Sequence, residues 1–217
     1  MWDDPQWPQG KNHSKMTTKR HTLYVFDFDG TLTTSDTLIE FIRYANGTWS
    51  LVWSLFLMLP KLVLMKLHLR DNGQTKEELF ARHFKGMTTE AFDNVCGRFA
   101  AERKGLLRKE GQSAMRRAMQ QGARALVVSA SVDNWVAPFF PGVDVLGTQA
   151  EVADGRLTGR FLTRNCYGQE KVDRLKQAVP ELENHRQQYY IVAFGDSRGD
   201  KEMLEFADER HYKPFRR

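Results

Sequence analysis

The chain has 217 residues, 41% hydrophobic and 27% charged, which excludes a collagen, a low-complexity polymer and a wholly disordered protein. Its net charge of +5 suits an anionic partner (a phosphorylated metabolite, a lipid headgroup or nucleic acid) without choosing among them. Two cysteines, Cys96 and Cys166, are too few for a disulfide framework or a structural zinc site and fit a reducing compartment.

Residues 1–15 are polar and carry Pro, Gly, Asn and Trp. They read as a disordered or extraneous segment without the charged-then-apolar pattern of a leader, and Met16 is a candidate start. Residues 23–30, Leu-Tyr-Val-Phe-Asp-Phe-Asp-Gly, form a short apolar run that stops in carboxylates, as a buried strand ending at a polar edge does. A helix is predicted over 36–44, capped by Ser35 or Asp36 and ended by Asn46-Gly47. Residues 49–59 are apolar all the way round a helix, and Pro60 is predicted to kink or break it before the run 61–66. Thr75 with Glu78 fits a capping box that opens a helix to about residue 85. Helices over 89–103 and 106–121 follow.

Beyond Gly122 the texture changes. Strands are predicted over 125–129, 143–147 and 189–194, with a hairpin over 151–161 turning at Asp154-Gly155. Helices are predicted over 168–179 and 198–206. Apolar strands alternating with helices imply an α/β fold with a parallel sheet covered on both faces. The predicted catalytic core comprises 16–36 and 122–217, and 37–121 is a helical insert.

In open α/β sheets ligands sit beyond the carboxyl ends of the strands. Three predicted strands end in polar groups there: Asp27 and Asp29, Ser129 and Ser131, and Asp196 followed by Asp200. Asp27 and Asp29 share a direction unless the chain turns at Gly30. A calcium loop is excluded by register, because its sixth position, normally Gly, is Leu32 here.

Read in order, Asp27-Phe-Asp-Gly-Thr31, Ser129, Lys171 and Gly195-Asp-Ser-Arg-Gly-Asp200 closely resemble the four motifs of the haloacid-dehalogenase-like phosphohydrolases. The insert after the first motif, Asp154-Gly-Arg-Leu-Thr-Gly159 and Asn165-Cys-Tyr-Gly-Gln-Glu-Lys171 resemble the phosphoserine-phosphatase-like branch. The resemblance implies a Rossmann-like, doubly wound parallel sheet with the insert as a cap. It makes Asp27 the nucleophile and Asp29 the general acid, then base. It places Mg2+ on Asp27, Asp196 and the main-chain carbonyl of Asp29, and phosphate on Ser129, Ala130 and Lys171. Asp200 would orient Lys171 or a metal-bound water. The sequence departs from phosphoserine phosphatases at Asp36, where they carry Glu, at Gly199, where they carry Asn, and at Ala130-Ser131, where they carry Gly-Gly. Ser131 reads as a helix cap and Cys166 as a packed residue.

The expected function is a cytoplasmic, Mg2+-dependent phosphomonoesterase acting on a small phosphorylated metabolite. The alternative is a membrane-peripheral lipid phosphatase, similar to phosphatidylglycerophosphatase-C-like members of the branch. Residues 49–59 are too short to span a bilayer and read first as a helix buried in the cap. Their second reading is an interfacial helix, with Trp49, Trp53 and Phe56 in the headgroups and Lys61, Lys66 and Arg70 on anionic lipid. A basic nucleic-acid module is the third possibility, but the basic residues are scattered and the tail 213–217 reads as a solvated end, so no nucleic-acid partner is expected.

Overall fold

Alternation along the first strand decides which face of the sheet each residue covers. In β1 (His21–Phe26), Leu23 and Val25 enter one apolar cluster while Tyr24 and Phe26 enter another on the opposite face. The protein was analysed as a computed structural model that describes residues 20–216 apart from 68 and 70. The segment 1–15, Met16, Arg70 and Arg217 lie outside the described residues.

After β1 come four helices of the insert, α1 (Thr37–Asn46), α2 (Thr48–Lys66), α3 (Asn72–Phe84) and α4 (Thr89–Glu102), and then α5 (Lys109–Gln120). The remaining elements are β2 (Arg124–Val132), a short α6 (Asp133–Val136), β3 (Asp144–Thr148), β4 (Ala150–Ala153), β5 (Arg156–Phe161), α7 (Gln169–Ala178), a short α8 (Glu181–Asn184), β6 (Tyr189–Gly195), α9 (Lys201–Phe206) and β7 (Glu209–Tyr212). Among the described residues the main sheet has the order β3-β2-β1-β6-β7, with every pair parallel. The expected doubly wound α/β architecture is present.

Register brings the strand ends together. Phe26 lies opposite Val127 of β2 and Phe194 of β6. The acidic and hydroxyl residues that follow therefore emerge at one edge. Leu23 and Val25 pack with Val172 and Leu175 of α7 and Met203 of α9. The opposite face packs with Ala114, Met115 and Ala118 of α5. That helix lies on β2, so it belongs to the sheet's own covering layer although it falls within 37–121.

The insert is held by aromatic rings. Phe41 of α1 stacks on Trp135 of α6 at 4.9 Å between centroids and meets Phe84 of α3 and Phe99 of α4 at 5.2 Å each. The β4–β5 hairpin turns through Asp154 (φ +49°) and Gly155 (φ +71°), the paired left-handed residues that a two-residue hairpin needs.

Several elements depart from the sequence reading. Helix α2 runs unbroken through Pro60 to Lys66, giving 19 residues. Pro60 lies on the exposed side, where water can take the carbonyl that its missing N–H leaves free. Helix α3 starts at Asn72, capped by Asp71, whose carboxylate accepts from Gln74 N at 2.9 Å; Thr75 is inside the first turns. The expectation that 49–59 is buried in the cap does not hold: only Leu51, Ser54 and Met58 of α2 are buried. The phenylalanines of α1, α3 and α4 already fill the interior, so α2 packs by one side only.

Candidate active site

The residues after β1 form the floor of the site. The chain turns at Gly30 (φ +80°), and Thr33 N closes the turn on Phe28 O at 3.0 Å. Gly is required here twice over. The backbone is left-handed, and a Cβ would meet Asp196 Oδ2 at 2.5 Å. The turn leaves Asp27 and Asp29 lining a cleft of about 380 Å³ together with Ala130, Lys171, Asp196 and Asp200.

Lys171, 2% exposed, is the hub. Its Nζ donates to Asp27 Oδ1 at 2.6 Å, Asp200 Oδ1 at 2.7 Å and Val128 O at 2.8 Å. Burial alone would lower the Lys171 ammonium, but the Asp27 and Asp200 carboxylates outweigh it and hold the group protonated above the ordinary lysine value. Burial raises Asp27 to about 7 against the lowering pull of Lys171, with the nearby carboxylates adding to the rise. Burial would also raise Asp200, yet Lys171 and the Ser197 donors bring it below its usual value. Asp200 Oδ2 accepts from Asp196 N at 3.1 Å and from Ser197 N and Oγ at 2.9 Å each. Asp200 thus fixes both the lysine and the loop that presents Asp196.

Asp29 is held separately. Thr37 N donates to its Oδ1 at 2.7 Å and Ser131 Oγ to its Oδ2 at 2.6 Å. Ser131 is therefore no helix cap: α6 begins after Val132 without a side-chain cap, and the Ser131 hydroxyl serves Asp29 instead. Ser129 is buried, with Oγ accepting from Ser131 N at 3.0 Å and lying 3.5 Å from Asp29 Oδ2. Asp36 caps α1 through Leu38 N at 2.9 Å and lines the same cleft; desolvation raises its carboxyl first and the Asp29 charge second. Cys166 is buried, and burial pushes its thiol up to about 11, as expected of a packed residue. Gly199 has a steric reason, since a Cβ there would overlap the Tyr167 ring.

A hard cation fits the acidic floor. Ligand oxygens of Asp27, Asp196 and Asp200 lie within 4.8 Å of one another. Asp27 Oδ2 is buried with no hydrogen-bond partner among the described residues. Such an orphaned anionic oxygen facing two further carboxylates calls for positive charge. Asp200 is already saturated by Lys171 and its backbone donors, which leaves as side-chain ligands Asp27, with one oxygen unpaired, and Asp196, whose oxygens are shared with Thr31 and Arg216.

Some contributors escaped the sequence reading, Thr34 among them. Asn72 and Lys76 enter the cleft from α3. Arg216 enters from the tail, which is docked rather than solvated. Lys213 N donates to Gly195 O at 2.8 Å, Phe215 stacks on Phe194 at 5.5 Å, and Arg108 Nη1 donates to Phe215 O at 3.3 Å. The Arg216 guanidinium then ion-pairs with Asp196. The alternation of Phe215 and Arg216 beside β7 was the only available signal, and four residues are too few to carry it.

The profile of the haloacid dehalogenase-like hydrolase family matches residues 24–205. The chain belongs to this family. Protein CicA of Caulobacter vibrioides (strain NA1000 / CB15N) is 34% identical over 201 residues, spanning 89% of the present hydrolase and 86% of CicA. A Bordetella pertussis Tohama I protein of unknown function shares the hydrolase's fold with a TM-score of 0.74 at 20% identity, over 88% of this chain and 89% of the other. A substrate-bound phosphoserine phosphatase does so with a TM-score of 0.59 at 19% identity, over 89% and 86%. The hydrolase therefore carries the fold that phosphoserine phosphatases also use.

Proposed function

We propose that the hydrolase is a phosphomonoesterase that works through a phosphorylated Asp27. The observation that carries this reading is the division of labour on the Asp27 carboxylate. Lys171 fixes one oxygen at 2.6 Å while the other is buried and unpaired at the cleft floor. A carboxylate so held is positioned to attack phosphorus.

In the first step the free Asp27 oxygen bonds to phosphorus and the bond to the leaving alkoxide breaks. Asp29, on the same cleft wall, gives its proton to the departing oxygen. In the second step Asp29 takes a proton from water. The water oxygen attacks the phosphorus, the bond to Asp27 breaks, and inorganic phosphate leaves. Lys171 and the Ser129 hydroxyl stabilise the transferring group. Asp27, Asp196 and the main-chain carbonyl of Asp29 would hold Mg2+. When bound, it supplies the positive charge that lets an anionic nucleophile approach an anionic phosphate.

The leaving group is selected from the insert. Asn72 and Lys76 of α3 and Asp36 at the start of α1 face the cleft, so we read α1–α4 as the cap. A small phosphorylated metabolite is the first substrate class. One feature favours a second, a lipid phosphate. A vestibule of about 1170 Å³ shares Asn72 and Tyr167 with the cleft, and its wall carries Met65 of α2, Leu69 just beyond it and Phe161 among polar and acidic residues such as Glu77 and Glu170, room for a longer leaving group.

Purified protein should release phosphate from one or more members of a panel of phosphoserine, sugar phosphates, nucleotides and phosphatidylglycerophosphate in detergent, with Mg2+ present. Asp27→Asn, nearly isosteric, should abolish turnover of all of them. Retained turnover in that variant overturns the nucleophile assignment, and preference for the lipid reverses the substrate ranking.

A further inference from the structure

Helix α2 presents a continuous apolar face to solvent. Trp49 is 86% exposed, Trp53 and Phe56 62% each, and Val52, Leu57, Leu59, Val63, Leu64 and Leu67 are exposed as well. Trp53 and Phe56 stack on each other at 5.7 Å, making one apolar ridge. Lone exposed hydrophobes are ordinary, but a contiguous face of this kind marks a binding surface.

Helical geometry gives that face a shape. At 3.6 residues per turn, Trp49, Trp53, Phe56, Pro60, Val63 and Leu67 centre an arc of roughly 160°, bounded by Leu57 and Leu59. Lys61 and Lys66 fall just outside its two edges. Lys66 is exposed, and Lys61 ion-pairs with Glu78 of α3. The 19 residues contain no Asp or Glu. Leu51 and Met58 lie opposite the arc, buried in the aromatic core against α1 and α3.

We propose that this face of α2 seats the protein on an anionic membrane surface, with the helix lying in the interfacial plane. An apolar arc flanked by lysines, with tryptophans toward one end, matches what an interface between headgroups and acyl chains accepts. The positive balance of the chain acts in the same direction. Length and hydropathy alone would also let α2 cross a bilayer, but its inner side is occupied by the protein. It can be immersed on one side only. Self-association through the same arc would bury the same side chains and is the competing outcome.

The test is cosedimentation of the full-length protein with large unilamellar vesicles, in an Mg2+-free buffer so that binding is read without turnover. Vesicles containing phosphatidylglycerol should bind the protein at least tenfold more tightly than pure phosphatidylcholine vesicles, and added salt should weaken the binding. The triple variant Trp49→Ser, Trp53→Ser, Phe56→Ser should lose at least tenfold in partitioning. These side chains are exposed, so its thermal unfolding should match wild type, and its hydrolysis of any water-soluble ester the wild type accepts should persist. Lys66→Gln should weaken binding to anionic vesicles and lower its salt sensitivity. Absence of vesicle binding overturns the proposal. A concentration-dependent dimer in light scattering that the triple variant abolishes also overturns it, in favour of a second copy. Neither result bears on the phosphatase reading, which stands or falls on Asp27→Asn.

Discussion

Replacing Lys171 with Met removes the side-chain cation that sits between the buried carboxylates of Asp27 and Asp200. Lys171 is 2% exposed and its side-chain partners Asp27 and Asp200 are also buried. Met keeps most of the volume, so packing changes little. Asp27 and Asp200 lose a charge-assisted bond each, at 2.6 and 2.7 Å, and Val128 O loses a donor. Breaking a buried ion pair from one side costs about 3–5 kcal/mol, mainly as the desolvation of the stranded charge. For a domain of this size each kcal/mol moves Tm by roughly 2–4 °C, so a fall of about 6–20 °C is expected. The effect depends on pH. Without the lysine the folded-state pKa of Asp27, already above the unfolded value, rises further, and that of Asp200 loses the pull that holds it below and rises above it. The folded state then holds more protons than the unfolded one, and stability falls as pH rises through that window. The deficit of Lys171→Met should thus be larger at pH 8 than at pH 5. Adding Asp200→Asn to the variant should restore part of it. Urea unfolding in EDTA at both pH values measures the effect, and phosphate release should fall at least about 10²-fold in parallel. A deficit below about 1 kcal/mol at pH 8, or one equal at both pH values, would refute the idea that Lys171 is the counter-charge of the site.

Two further expectations concern the acidic floor. Arg216 and a metal compete for Asp196, so Arg216→Gln should tighten Mg2+ binding in calorimetry; the guanidinium is half exposed, and such pairs are worth up to about 1 kcal/mol, which bounds the gain at about fivefold. Weaker Mg2+ binding in that variant would show that Arg216 supports the site instead. Asp27, raised to about 7 by burial, holds its proton in the metal-free fold where the unfolded chain has already released it. Metal-free stability attributable to Asp27 should therefore fall as pH rises from about 4 to 7, and Mg2+ affinity should climb over the same range, an effect that Asp27→Asn removes from titrations at pH 5.5 and 7.5.

The legible parts of the chain were those in which one local rule dominates. A strand buried on both faces must be apolar throughout, so β1 announced itself, and the carboxylates that end it marked the edge where chemistry sits. The Asp154-Gly155 turn was legible because few residues accept two successive left-handed conformations. The illegible parts were set by what lies next to them in space. β7 reads Glu-Arg-His-Tyr, with alternate residues exposed, because an edge strand needs only one covered face. Ser131 looked like a helix cap because nothing in the sequence says that Asp29 lies 2.6 Å from its hydroxyl.

Helix α2 shows how a sound local rule can point the wrong way. Pro60 deletes one backbone bond and its ring crowds the carbonyl four residues earlier, which kinks a helix or, where the freed carbonyl finds no other partner, ends it. Here the ring stands on the outer arc beside Trp53 and Phe56, and the helix continues to Lys66. Continuation matters to function, because it carries Met65 into the vestibule wall and sets Lys66 at the far edge of the arc. A break at 60 would have left a short apolar stub that could fold into the bundle. The unbroken helix is too long to hide there. The rings of Phe41, Phe80, Phe84, Phe92 and Phe99 already occupy that interior. The apolar residues of α2 therefore remain outside, and the reason to retain them must be sought in what the protein touches rather than in how it folds.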